Sequence, residues 1–248
     1  MKEWQDGAHR VVHDAVALAQ PRAELFDAGY WERAGLVEGR AAGRGAVVFV
    51  RGGAQGETRG ETRGETRGET WALRHYRRGG WVGRLIADSY LWLGLDQTRP
   101  WREFKLTREL HAKGLPVPRP IAAHVARRGV LYTGDLITVR IAGAEPLADL
   151  LQAGPLPPAH WTQLGRVLRR FHVAGVRHDD INARNVLRDG RGDFHLIDFD
   201  KARLLPAGPW QAQNLARFRR SLEKFKAATT GFNFTDADWQ ALLTGYNT

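Results

Sequence analysis

The sequence predicts an α+β fold of two lobes, a small antiparallel β lobe followed by a mainly helical one. Three observations predict it. Between residues 35 and 141, short β-branched and aromatic runs alternate with glycine and proline turns, and a single helical pattern interrupts them. From residue 142 to residue 248, helical patterns dominate. Within that second half, His178 to Asp200 reads as a loop, a short strand, a tight turn and a returning strand, with polar residues gathered at both ends of the hairpin.

Residues 1–34 form an amino-terminal extension expected to pack on the small lobe. Within it, residues 8–19 read as a short, weakly periodic helix. Residues 24–34 mix Phe26, Tyr30 and Trp31 with charges, a composition suited to covering a sheet. Gly39-Arg40-Ala41-Ala42-Gly43-Arg44-Gly45 then leads into the apolar strand Ala46–Val50. A turn carrying Gly39, Gly43 and Gly45 lets backbone N–H groups approach phosphate closely, with Arg40 and Arg44 adding charge; a plain loop has the same composition. Residues 56–70 repeat Gly-Glu-Thr-Arg three times and end on Gly-Glu-Thr. With no apolar residue the stretch buries nothing. It reads as a flexible insertion between two strands, where added length costs little closure entropy.

The strand Trp71–Tyr76 follows, and Arg74 stands where a phosphate-binding fold of this kind places a strand-borne cation. An exposed strand-end arginine is the bland alternative. Arg77-Arg78-Gly79-Gly80 comes next, a candidate lining for a substrate mouth. A helical pattern runs from Trp101 to Lys113 and stops at Gly114, with Glu103 as the candidate partner of Arg74 and Glu109 as its rival. Leu115–Pro120 is an extended linker, followed by strands near 121–126, 129–133 and 135–141. The segment after Thr138 is the expected hinge between lobes. Further helices are expected at 147–151, from Pro157-Pro158 to Gly175, at 211–229 and at 235–246.

The hairpin carries the chemistry. Val186-Leu187 and Phe194–Ile197 are its strands, and Asp189-Gly190-Arg191-Gly192 is turn composition. Asn185 at its entry and Asp198 at its exit are thereby neighbours, with Asp180 on the approach loop. Asp198 and Asn185 offer the hard oxygen ligands that Mg²⁺ takes when it also holds substrate phosphates. Asp180 is left to accept a proton from an attacking hydroxyl. His178, Asp180, Asn185 and Asp198-Phe199 match the H-x-D-x-x-x-x-N and D-F-G elements of the protein-kinase-like bilobal fold, with Asp200 replacing the glycine. The dozen or so residues between Asp198 and the next helix leave no room for a long activation segment, and no A-P-E stop is present. Asp179 and Asn182 stand where protein kinases carry arginine and lysine. These departures favour a small-molecule or glycan acceptor over a peptide.

Composition narrows the classes further. The chain has 37 basic against 27 acidic residues, a net of +10, which suits a polyanionic substrate or an anionic surface. No zinc-finger or RNA-recognition signature accompanies that charge, so no nucleic-acid partner is expected. With no cysteine there is no disulfide framework and no thiolate metal site. No run of about 18 apolar residues suggests a span, and the acidic first 20 residues do not read as a signal peptide. The expected location is cytoplasmic. No oligomeric state follows.

Several segments together resemble the 3-deoxy-D-manno-octulosonic acid (Kdo) kinase family: Leu-Arg-His-Tyr-Arg-Arg-Gly-Gly (73–80), Arg-Glu-Phe (102–104) with Gly-Leu-Pro-Val-Pro-Arg-Pro (114–120), and Asp-Leu-Ile-Thr-x-Arg-Ile (135–141). His-x-Asp-Ile-Asn-Ala-x-Asn (178–185), Ile-Asp-Phe-Asp-Lys (197–201) and Asn214–Leu222 belong to the same likeness, which covers roughly residues 35–225. The resemblance implies ATP- and Mg²⁺-dependent phosphorylation of a Kdo hydroxyl, the 4-hydroxyl, on a Kdo-bearing lipid A precursor. It further implies peripheral attachment at the cytoplasmic face of the anionic inner membrane. By the same likeness Asp180 is the general base, Asn185 and Asp198 the metal ligands, and Arg74 with Glu103 the phosphate cation and its partner. A heptose-type or other small-molecule kinase of the same fold is the alternative.

Overall fold

The computed structural model describes residues 1–41, 47–52, 68–77 and 88–248. It divides into two compact units, one of Met1–Arg108 with Arg119–Arg140, the other of Glu109–Pro118 with Ile141–Thr248.

The first unit is built on an antiparallel sheet. Strands β1 (Lys2–Asp6) and β2 (His9–His13) form a hairpin around Gly7, whose φ of +51° is a left-handed value that glycine adopts freely. The helix expected over 8–19 is therefore corrected. Gly7-Ala8 is the two-residue hairpin loop, with glycine at its first position, and the β-branched pair Val11 and Val12 is fully buried on opposite faces of the sheet. After a 3-10 turn at Ala23–Phe26 comes α1 (Ala28–Arg33), capped by Asp27, which accepts from the Gly29 N–H at 3.0 Å. Trp31 of α1 is buried and edge-on to Trp71, so this segment covers the sheet as expected.

Strands β3 (Val37–Ala41), β4 (Val47–Arg51), β5 (Thr70–His75) and β6 (Tyr90–Leu91) follow, then α2 (Arg99–Ala112), β7 (Pro120–Arg128) and β8 (Leu131–Val139). The sheet order is β1-β2-β7-β8-β5-β4-β3, with β6 against β8. One face packs Val11, Trp31, Val50, Trp71 and Ile137; the other packs Val12, Tyr76 and Tyr132 with Trp101 and Phe104 of α2.

Two expectations about strands change. The strands near 129–133 and 135–141 are one, β8, because Gly134 is no break. A Cβ there would lie 2.4 Å from the Pro100 ring, so the glycine lets α2 start against the sheet. Nor does the repeat at 56–70 stand wholly apart at its end. The Glu69 carbonyl accepts from the Gly52 N–H at 2.8 Å, Glu69 pairs with Arg119 at 2.5 Å, and Thr70 opens β5. Its residues 56–67 lie outside the described residues.

The second unit comprises β9 (Glu145–Pro146), α3 (Leu147–Ala153), α4 (Pro158–Val173), β10 (Val176–Arg177), β11 (Val186–Arg188), β12 (Phe194–Leu196), β13 (Arg203–Leu204), α5 (Trp210–Ala228) and α6 (Asp236–Asn247). The expected helices are all present. Proline opens α4 at its first turn, and a Thr235–Asp238 capping box opens α6. The α4–α6 crossing is close enough to require glycine on both helices. A Cβ on Gly165 would lie 2.0 Å from the Leu242 carbonyl oxygen, and one on Gly245 would lie 1.9 Å from that of Thr162. Alanine at 165 gains roughly 1 kcal/mol of helix propensity, yet it must push the α6 backbone away. We expect Gly165→Ala to destabilise the protein by about 1–3 kcal/mol, read as a fall of several degrees in Tm. An unchanged or raised Tm would contradict the close crossing.

Candidate active site

The first unit sets a partly buried ion pair beneath its sheet. Along β5, Trp71 and Leu73 point into one core, so Arg74 points to the opposite face, toward α2. There its guanidinium pairs with Glu103, whose side chain is 3% exposed. The Tyr76 hydroxyl donates to the same Glu103 carboxylate and accepts from Arg74 Nη2 at 2.9 Å, while the Arg74 guanidinium lies 4.6 Å from the Tyr76 ring centroid. Of the two glutamates weighed as partners, the structure brings Glu103 to Arg74; Glu109 pairs with Lys113 at 2.6 Å on an exposed face. The glycine run is placed differently from expectation. Gly39 stands inside β3 across from Phe49, next to a bulge, and Arg40 pairs with Glu32. Gly43, Arg44 and Gly45 lie outside the described residues, as do Arg78, Gly79 and Gly80.

In the second unit, Val186 pairs with Leu196, and the Ile197 N–H donates to the Asn185 carbonyl at 3.1 Å. The ladder thus runs one residue past the hairpin and brings Asn185 beside the Ile197-Asp198 peptide. The Asn185 side chain reaches the other way, with Nδ2 donating to the Asp180 carbonyl at 3.0 Å. That commits its nitrogen, while Oδ1 has no hydrogen bond among the described residues. Asn182 donates to the same carbonyl at 2.8 Å, so two amides brace the Asp180 peptide. Asn185 thus touches the Asp180 peptide through its side chain and the residue before Asp198 through its backbone.

His178 locks this arrangement. It is 2% exposed, donates from Nε2 to the Ile197 carbonyl at 3.0 Å, and accepts the Asp180 N–H at Nδ1 at 3.3 Å. Only a neutral imidazole with its proton on Nε2 makes both bonds. Burial is the main cause that pushes its pKa below the ordinary histidine value. Phe199 packs on its ring at 5.0 Å and on Phe171 at 6.0 Å. Helix α5 braces the same loop. Asn214 Nδ2 donates to the His178 carbonyl at 2.8 Å, and Asn214 Oδ1 accepts from His172 Nε2 at 3.1 Å. His172 Nδ1 then accepts from the Tyr246 hydroxyl at 2.7 Å.

Charge is distributed unevenly along the loop. Desolvation pushes the Asp179 carboxyl up, but hydrogen bonds from Arg203 and Arg177 outweigh it and hold the group below the usual aspartate value. Asp180 faces Lys201, whose Nζ donates to Oδ2 at 3.1 Å, and keeps 37% of its side chain exposed. Lys201 is the contact that sequence reading missed. The one signal in the chain was the asparagine at the position two residues after Asp180 where protein kinases carry lysine, with Lys201 three residues past Asp198. Asp198 has φ +66°, the one positive value outside glycine among the described residues. Such a backbone costs of order 1–3 kcal/mol and marks functional sites when the surroundings enforce it.

A strand cation held by a helix glutamate, together with an Asp/Asn/Asp set on a loop and hairpin, defines a kinase of the protein-kinase-like class. A model of the lipopolysaccharide kinase (Kdo/WaaP) family matches residues 51–246. The chain belongs to that family. It is 37% identical to the 3-deoxy-D-manno-octulosonic acid kinase of Vibrio vulnificus over 246 residues, covering 99% of this chain and 98% of the relative. The enzyme of that name from Photobacterium profundum is 40% identical over the same shares, and that of Haemophilus influenzae is 37% identical over the whole of both chains.

Two outcomes follow for the site. Asparagine tolerates a left-handed backbone as well as aspartate does, so Asp198→Asn should keep its Tm while activity falls by at least ~100-fold; a coincident loss of Tm would show that Asp198 serves the fold. His178 and His172 both have pKa values lowered chiefly by burial. The unfolded chain therefore takes up protons that the folded one refuses, and their stabilisation, full above about 6.5, is lost as pH falls toward the lowered values. The Tm advantage of wild type over His178→Gln should shrink from pH 7.5 to pH 5. An advantage that grows on acidification would reverse the assignment of a neutral imidazole.

Proposed function

We propose that this kinase transfers the γ-phosphoryl group of ATP to a hydroxyl of Kdo, the 4-hydroxyl, on a Kdo-bearing lipid A precursor. The observation that carries the reading is the Asp180–Asn185–Asp198 set held by His178, in a chain aligned end to end with enzymes named for Kdo phosphorylation. Asp180 accepts the proton of the attacking hydroxyl, and its exposed carboxylate suits an acceptor arriving from solvent. Lys201 positions that carboxylate and adds positive charge near the transferring group. Arg74, fixed by Glu103 and Tyr76, is the cation for the nucleotide phosphates.

Mg²⁺ fits the donors present. Asp198 and Oδ1 of Asn185 offer hard oxygens, and Mg²⁺ shared with substrate phosphates needs only one or two carboxylates from the protein. When bound, it would neutralise the phosphate oxygens as charge develops on them. Peripheral attachment to the cytoplasmic face of an anionic inner membrane is part of the same proposal. Leu91, Leu93 and Val130 are 56%, 71% and 70% exposed, and β6 pairs with the start of β8, next to the β7–β8 turn and the end of β7 that carries Arg127 and Arg128. Apolar tips beside cations suit an anionic bilayer surface. No helix among the described residues is long and apolar enough to cross a membrane.

The test is transfer of radiolabelled phosphate from ATP/Mg²⁺ to a Kdo-bearing lipid A precursor, with the Kdo-free precursor as control. Label is expected only on the Kdo-bearing acceptor, at the 4-hydroxyl by NMR. Asp180→Ala should lower turnover by at least ~100-fold while nucleotide binding persists. Equal labelling of both acceptors, or full activity in Asp180→Ala, would overturn the reading.

A further inference from the structure

Beside the 178–185 loop, on the α5 side, lies a cavity of ≈ 310 Å³ whose lining includes Arg177, Asp179, Gln213, Asn214, Arg217 and Arg220. Its position is set by two hydrogen bonds. Asn214 of α5 donates to the His178 carbonyl at 2.8 Å, and the Ser221 hydroxyl accepts from the Ala183 N–H at 3.3 Å. Two turns of α5 are therefore laid alongside the loop that carries Asp180. Gln213, Arg217 and Arg220 fall on one helix face within or next to those turns, at the i, i+4 and i+3 spacings that make neighbours.

The charge in this cavity is unbalanced. Its one carboxylate, Asp179, is already held by Arg177 and Arg203. Arg217 and Arg220 have no hydrogen-bonded or salt-bridged acidic partner among the described residues. Arg219 on the same helix, by contrast, pairs with Asp236 at 2.5 Å and with Glu223. Two guanidiniums one turn apart repel each other and the nearby Arg177. An oxyanion entering the cavity relieves that repulsion and offers the planar, bidentate geometry that guanidinium matches best.

We propose that this cavity binds an oxyanion of the acceptor, a carboxylate or a phosphate, through Arg217 and Arg220, and so sets which hydroxyl reaches Asp180. The inference rests on the reading that the acceptor is an acidic sugar on a phosphorylated lipid. Arg217 and Arg220 act as specificity determinants, separate from the Asp180, Asn185 and Asp198 set that carries the transfer.

The experiment compares wild type with Arg217→Ala/Arg220→Ala and Arg217→Lys/Arg220→Lys. Acceptor and ATP titrations give the two KM values. Inorganic phosphate, titrated against Tm with ADP and Mg²⁺ saturating, reports the cavity without any acceptor. The alanine pair should raise the acceptor KM by about tenfold or more, leave the ATP KM unchanged, and abolish the phosphate-dependent rise in Tm. The lysine pair should be intermediate, because it keeps the charge and loses the fork. Acceptors with the sugar carboxylate amidated, or with the lipid phosphates removed, identify the anion: the one whose loss costs wild type but not the alanine pair is the group held. An acceptor KM within about twofold of wild type in the alanine pair, with wild type active on the Kdo-bearing acceptor, overturns the site and leaves the proposed function standing. If wild type labels no Kdo-bearing acceptor, the function fails alone. The site is then upheld by a phosphate-dependent Tm rise that the alanine pair loses, and overturned if wild type and variant respond alike.

Discussion

One buried imidazole holds the working loop of the second unit together. A neutral histidine has one donor and one acceptor, and His178 gives each to the backbone of a different segment. Its Nε2–H goes to Ile197 and its Nδ1 to the N–H of Asp180. Asp198 follows Ile197 directly, so the same ring sets the distance between a metal-binding candidate and a proton-accepting candidate. A protonated ring would carry two donors and lose the bond to Asp180. Burial disfavours that state, and the packing of Phe199 against the ring maintains the burial.

Much of the second unit can be understood as support for that ring and its loop. The chain from Tyr246 through His172 and Asn214 to the His178 carbonyl links α6, α4 and α5 in one sequence of donors and acceptors. Each group in it has its polar needs met inside the protein, which is what a buried polar network requires to be stabilising. The α4–α6 crossing through Gly165 and Gly245 brings Tyr246 within reach of His172. The left-handed backbone at Asp198 is then enforced by the β11–β12 ladder on one side and the Phe199 packing on the other. Separate partners sort the charges: Asp179 is spent on two arginines, and Asp180 meets a lysine and solvent.

The first unit answers a different demand, a cation fixed in place beneath a sheet. Arg74 lies between an aromatic ring and a carboxylate, and Glu103 is fully enclosed. A buried glutamate is tolerated only with such partners. The two-faced sheet supplies the setting. Alternation along β5 sends Trp71 and Leu73 to one core and Arg74 to the α2 face, where the helix pattern of Trp101 and Phe104 places Glu103.

Local chemistry was legible from the chain alone. The helices of the carboxy-terminal half, the Pro157-Pro158 start and the Asp189–Gly192 turn are short-range features, and each appeared where expected, whereas the weak periodicity over 8–19 gave way to a strand hairpin. Long-range contacts decided what was missed. Val11-Val12 reads as helix or strand until β7 is seen beside it, and Gly134 reads as a break until Pro100 is packed against it. The choice between Glu103 and Glu109 depended on which face of α2 met the sheet. Lys201 gained meaning only once it was seen to reach Asp180, and Arg217 and Arg220 of α5 only once hydrogen bonds from distant segments laid that helix along the 178–185 loop. The sequence by itself determined the identities and local spacing of the reactive groups, because turns and helices are set by neighbours a few residues away. Tertiary structure alone decided which charges meet, because pairing across tens of residues depends on packing that no local pattern encodes.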